Sequence, residues 1–135
     1  MTLILVVDEN DWQRQALCDF LRCQGYRTWQ ARDLAEVREA LSMSAHRRGA
    51  DSLKPALCLV ELVREQGNGF SLAVWLQSRG LGRSVLLSDR GELADSLWAR
   101  SRGIEWTLSR RLSAADFTAH LARILHATAG DNACA

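Results

Sequence analysis

The chain has 135 residues, 47% hydrophobic and 24% charged, with a formal net charge of +1. Those values suit one domain with a sizeable core and exclude a chain disordered by composition. They also give no bulk electrostatic drive toward nucleic acid or anionic membranes. The seventeen basic residues are all Arg except Lys54. Four Cys without CxxC spacing argue against a disulfide framework or a zinc site, and none of the three His is at metal spacing with a Cys. No run approaches a membrane span, and the first apolar run is too short for a signal-peptide core. The expected location is cytoplasmic.

Thr2 to Val7 reads as a strand buried on both faces, running into Asp8-Glu9. Asn10 with Gln13 has capping-box spacing, and Trp12, Ala16, Leu17, Phe20 and Leu21 form the inward stripe of a helix ended by Gly25. Tyr26 to Ala31 alternates, as a half-exposed edge strand does. Asp33 with Glu36 repeats the cap and opens a helix through Leu34, Val37 and Leu41. From Ser42 to Lys54 no period holds, which predicts a frayed helix end and a loop.

Pro55 then opens Ala56-Leu57-Cys58-Leu59-Val60-Glu61-Leu62, a short apolar run ending in one carboxylate. Its length favours a covered strand over a helix. Gly67-Asn68-Gly69 is a turn signal, and the helix after it turns Phe70, Ala73, Val74 and Leu76 inward. Ser84 to Leu87 is a fourth strand. Leu93, Ala94, Leu97 and Trp98 mark another helix, ended by Gly103. Ile104 to Leu108 alternates like a second edge. Phe117, Leu121, Ile124 and Leu125 make the last stripe, and no packing signal follows. The expected division is a domain over residues 1–127 and a tail or cut linker over 128–135.

Five β–α units with apolar strands one, three and four and alternating strands two and five predict an α/β fold. It is a doubly wound (βα)5 parallel five-stranded sheet of order 2-1-3-4-5, flavodoxin-like, with the alternating strands at its edges. Right-handed crossovers bring the carboxyl ends of strands one and three together, so Asp8, Glu9 and Glu61 meet where such sheets bind ligands.

Over residues 2 to 126 the chain resembles the receiver (CheY-like) domain of two-component response regulators. Val7-Asp8-Glu9 is similar to the acidic pair that holds Mg²⁺ in that family. Leu59-Val60-Glu61-Leu62 lies where the phospho-accepting Asp is found, with Asn68-Gly69-Phe70 fitting the turn beyond it. Leu86-Leu87-Ser88 matches the strand ending in a Thr or Ser hydroxyl. An ungapped match from Ser88 reaches Arg110 at the position of an essential Lys.

The departures carry the functional reading. Glu61 replaces Asp, Arg110 replaces Lys, and Arg111 stands where a Pro is expected. Lys54 is at the far end of the third strand, roughly 20 Å away at 3.3 Å per residue, and cannot substitute. Thr107 occupies the switch-aromatic position, with Trp106 able to serve if the strand carries a bulge. A Glu acceptor is one methylene longer and fills phosphoryl space, while Arg is a planar fork suited to carboxylates, so Glu61 and Arg110 read as a built-in ion pair.

The resemblance thus implies an atypical receiver in phosphorelay signalling, not an enzyme, that works by protein contacts with a degenerate pocket of Glu61, Ser88 and Arg110. Any Mg²⁺ is bound weakly by Asp8, Glu9, Glu61 and the carbonyl of Val63. Trp106, Thr107 and Arg111 mark the contact face, toward a histidine kinase, an output domain or a second copy. Two alternatives stand beside it. One is a receiver still phosphorylated through Glu61 or a neighbouring carboxylate; the other is a flavodoxin-like small-molecule-binding domain.

Overall fold

A computed structural model describes residues 2–45, 54–65, 68–89 and 99–133, with side chains except those of 44, 45 and 128–133. The strands are β1 (Leu3–Val7), β2 (Arg27–Ala31), β3 (Leu57–Glu61), β4 (Arg83–Ser88) and β5 (Trp106–Ser109). The helices are α1 (Asp11–Cys23), α2 (Leu34–Ala45), α3 (Gly69–Ser78) and α4 (Ala114–Ala133). All strand pairs are parallel, in the order β2-β1-β3-β4-β5. The predicted topology is the observed one.

The period of two along each strand builds two cores. Leu5, Val7, Cys58, Val60 and Leu86 face α2 and α3. Ile4, Val6, Leu57, Leu59 and Leu87 face α1 and α4. Every residue of β3 is buried, as a central strand covered on both faces requires. The caps hold as read: Asn10 Oδ1 accepts the Gln13 N–H at 2.9 Å, and Asp33 Oδ1 accepts the Glu36 N–H at 2.9 Å. Asn68 Oδ1 likewise accepts the Ser71 N–H at 2.9 Å and starts α3.

Several details differ from the sequence reading. On α1 Leu21 is buried and Leu17 and Phe20 pack against the core as read, joined by the buried Cys18, whereas Ala16 is exposed and Trp12 is 85% exposed. The first turn of α1 stands above the carboxyl edge of the sheet, where no strand remains to cover Trp12. On α3 Leu72 is buried instead of Val74, which is 38% exposed. The backbone of α4 stays helical to Ala133, beyond the last apolar residue of its stripe and into the segment read as a tail. A stripe reports packing, and its end need not be the helix end. β5 pairs Val85↔Trp106 through Ser88↔Ser109 one to one, so no bulge brings Trp106 to the position of Thr107. Residues 46–53 of the predicted loop, and Leu93, Ala94, Leu97 and Trp98 of the predicted helix, lie outside the described residues; residues 99–101 are helical, with Ala99 buried and Gly103 at φ 84°.

Candidate functional site

The carboxyl ends of β1, β3 and β4 meet the turn that follows β5. Asp8 continues β1, its N–H donating to the Ala31 carbonyl at 3.1 Å. Glu61 is the last residue of β3, in register with Leu87. The Arg110 N–H donates to the Ser88 carbonyl at 3.0 Å, which fixes the guanidinium over the strand ends. Asp8 and Glu61 are 1% and 5% exposed, and Ser88 is also buried.

Arg110 binds both carboxylates. Its Nε donates to Glu61 Oε2 at 2.6 Å and its Nη2 to Asp8 Oδ2 at 2.8 Å. The remaining carboxylate oxygens are engaged too: Asp8 Oδ1 accepts the Asn10 N–H at 2.9 Å, and Glu61 Oε1 accepts the Val63 N–H at 3.4 Å. Arg14 donates from Nη1 to the Asp8 carbonyl at 2.7 Å. Arg64 donates to the Arg32 carbonyl at 2.8 Å, and its charge also acts on Asp8.

One guanidinium between two buried carboxylates leaves the triad one charge short of balance. Burial is the strongest influence on Asp8 and holds its carboxyl above the ordinary range, against the Asn10 N–H and the charges of Arg110, Arg14 and Arg64. Burial likewise raises Glu61, against the charge and hydrogen bond of Arg110 and the Val63 N–H, with the Asp8 charge adding to the rise. Opposite charge at 2.6 and 2.8 Å would by itself lower both; desolvation wins because the two carboxylates are nearly closed to water.

The residues read as Mg²⁺ ligands, Asp8, Glu9, Glu61 and Val63, all line one cleft, with Arg110 seated on two of the carboxylates. Asp8 and Glu61 already hold a cation, and Arg14 and Arg64 add positive potential. Glu9 Oε1 accepts the Glu65 N–H. Val63 is 62% exposed beyond the end of β3. Among the described residues no group of three or more His, Cys, Asp or Glu is placed to hold a metal. The cleft beside the triad, about 1010 Å³ and bordered by Asp33, Asn68 and Trp75, opens between α2 and α3.

Of the predicted contact residues, Trp106 is half-buried against the α1–α4 core, Thr107 is half-buried and Arg111 is exposed. The sequence reading brought Glu61 to Arg110 but missed Asp8 as the second partner and Arg14 behind it. The acidic pair after β1 was the available signal, since one fork has two donor edges. It also missed an apolar groove of about 500 Å³ between α1 and α4, lined by Trp12, Leu17, Phe20, Leu112 and Phe117, which reaches Arg110. Two glycines set the backbone of β3, one at each end of the strand. A Cβ on Gly69 would lie 2.5 Å from the Glu61 carbonyl oxygen, so only glycine lets α3 start against the end of β3. Gly82, at φ 86°, passes as closely over the entry to β3.

No protein-family model and no curated protein matches the chain. Solved structures do. A CheY-like response regulator receiver domain protein from Methanospirillum hungatei JF-1 superposes with TM-score 0.74 at 15% identity, covering 97% of this chain and 98% of that one. A response regulator protein from Burkholderia pseudomallei, solved with a phosphorylated aspartic acid, a calcium ion and citrate, gives TM-score 0.69 at 21% identity over 99% and 74%. NtrX from Brucella abortus, solved in complex with ADP, gives 0.78 at 20% identity over 99% of this chain and 28% of that one. At these identities the likeness is one of architecture, and the chain has the fold of the response regulator receiver domains.

Proposed function

We propose that this chain is an atypical receiver module in two-component signalling that acts by protein contact, without phosphoryl transfer and without turnover of its own. The observation that carries the reading is Arg110, hydrogen-bonded at once to Glu61 and Asp8. Phosphoryl transfer onto a carboxylate needs an open acceptor oxygen, a site for the incoming oxygens and a charge clamp. Here both Glu61 oxygens are hydrogen-bonded and the clamp is spent on the acceptor itself. The positive charge between the two carboxylates is supplied by Arg110 itself.

Trp12, exposed beside an apolar groove, supports a contact role, because aromatic and Arg residues concentrate at binding hot spots. The proposed partners are a histidine kinase, an output domain or a second copy of the chain, in the cytoplasm. Among the described residues no helix is long and apolar enough to cross a membrane.

Intact-mass spectrometry after incubation with acetyl phosphate and Mg²⁺ tests the proposal. The expected mass is unchanged. A gain of one phosphate, absent from Glu61→Gln, would show a working receiver and overturn the reading.

A further inference from the structure

On the α2–α3 side, away from the groove and from β5, two guanidinium groups are stacked on one indole. The Arg38 carbon Cζ lies 5.2 Å and that of Arg79 5.1 Å from the centroid of the Trp75 ring. Arg38 comes from α2 and Arg79 follows α3, so the stack spans both helices. Both arginines are exposed, and neither has a carboxylate or carbonyl at hydrogen-bonding distance among the described residues. Each keeps five N–H donors while the ring restrains its position. The helix that carries Trp75, Gly69–Ser78, contains no charged residue, and its outward positions Ser71, Val74 and Ser78 are exposed, while α2 carries exposed Glu36 and Glu39 near Arg38 in sequence. A charge-free centre with an aromatic and arginines at its rim has the composition of a protein interface.

We infer that the α2–α3 face docks an acidic segment of another protein, with carboxylates on Arg38 and Arg79 and an apolar residue against Val74. The inference rests on the contact reading and assigns it a surface and a partner chemistry. Nucleic acid fits less well. Stacked bases would compete with the guanidinium groups for the Trp75 ring, and α3 offers no further cations to follow a phosphate backbone. A symmetric second copy fits less well too. A two-fold contact on this face would bring the same arginines of both copies together.

Selection of a random dodecapeptide phage library on the immobilised full chain tests the inference. The expected selection enriches Asp and Glu together with an apolar residue. The synthetic form of an enriched peptide then binds the wild type and loses tenfold or more in affinity for Arg38→Gln/Arg79→Gln, with a steep salt dependence. Should the double variant melt early, Arg79→Gln alone, which does not link the helices, serves in its place with a smaller loss of the same sign. No enrichment, enrichment without acidic bias, equal binding by the variant, or tighter binding of a twelve-nucleotide oligothymidylate each overturns the inference. The phosphate-uptake experiment is independent of all four outcomes, so the two proposals fail separately.

Discussion

Arg110 is a single residue with two dependants. Its side chain is 16% exposed, against 1% for Asp8 and 7% for Glu61. Truncating one member of a buried charged set leaves the others uncompensated, at a cost of about 3 kcal/mol for a site this closed. Arg110→Ala is therefore expected to melt well below the wild type. The effect has a definite pH sign. Both carboxyls titrate above their ordinary values in the folded chain, so the folded state holds more protons in the mildly acid range. Their contribution to stability consequently falls as pH rises through that range. Removing Arg110 raises both carboxyls further, so its deficit is largest at neutral pH and narrows toward about pH 5. Added millimolar Mg²⁺ is expected to recover part of the loss in Arg110→Ala and to shift the wild type little. Melts of both proteins at two pH values, with and without Mg²⁺, check this. A variant indistinguishable from wild type, with strong Mg²⁺ stabilisation of both, would mean the triad does not hold the pocket.

At the scale of elements, α3 is seated by an atom that is missing. Its first residue, Gly69, leaves no room for a Cβ, which would meet the Glu61 oxygen at 2.5 Å and the Leu62 Cα at 2.7 Å. Both are backbone atoms of the strand that presents the acceptor position, so neither can rotate aside. Gly69→Ala is expected to cost about 1–3 kcal/mol by overpacking, read as a lowered melting temperature. The turn signal in the sequence was visible, yet it was read as chain reversal rather than close approach. Which strands are central was legible because burial on two faces leaves unbroken apolar runs, as in Leu57 to Val60. Which way a helix faces was less so. Trp12 and Val74 fit apolar stripes by spacing, but a stripe has margins, and only the position of the neighbouring strands decides which margin is covered. The Arg110–Glu61 contact was legible from charge and topology. The sharing of Arg110 with Asp8 depends on side-chain reach across two strands, and no spacing rule encodes it.

For the whole molecule, the two faces of the sheet differ in how they treat aromatic residues. Trp106 packs into the α1–α4 core, while Trp12 stands out of the same side almost bare. Trp106→Ala is expected to lower stability by about 2 kcal/mol, below the full cost of a buried Trp because it is only half-covered. Trp12→Ser is expected to stay within about 0.5 kcal/mol of the wild type, as exposed substitutions do. Denaturant melts of the two variants read the difference. Equal losses would place Trp12 in the core and remove the exposed anchor on which the groove depends. On the opposite face Trp75 is neither core nor bare, and its arginines give that side a separate chemistry.

Arg110 also changes what the surroundings can do to the pocket. A dissolved ion is lost on dilution or to a chelator, and its occupancy follows its supply. A guanidinium on the same chain is present at an effective concentration set by a short turn after β5, on the order of millimolar or above. It cannot be diluted, and no chelator removes it. On the contact reading proposed for this chain, the state of the strand ends then follows neither the supply of metal nor that of phosphate donor. On that reading, a signal reaches this module as a surface laid against it.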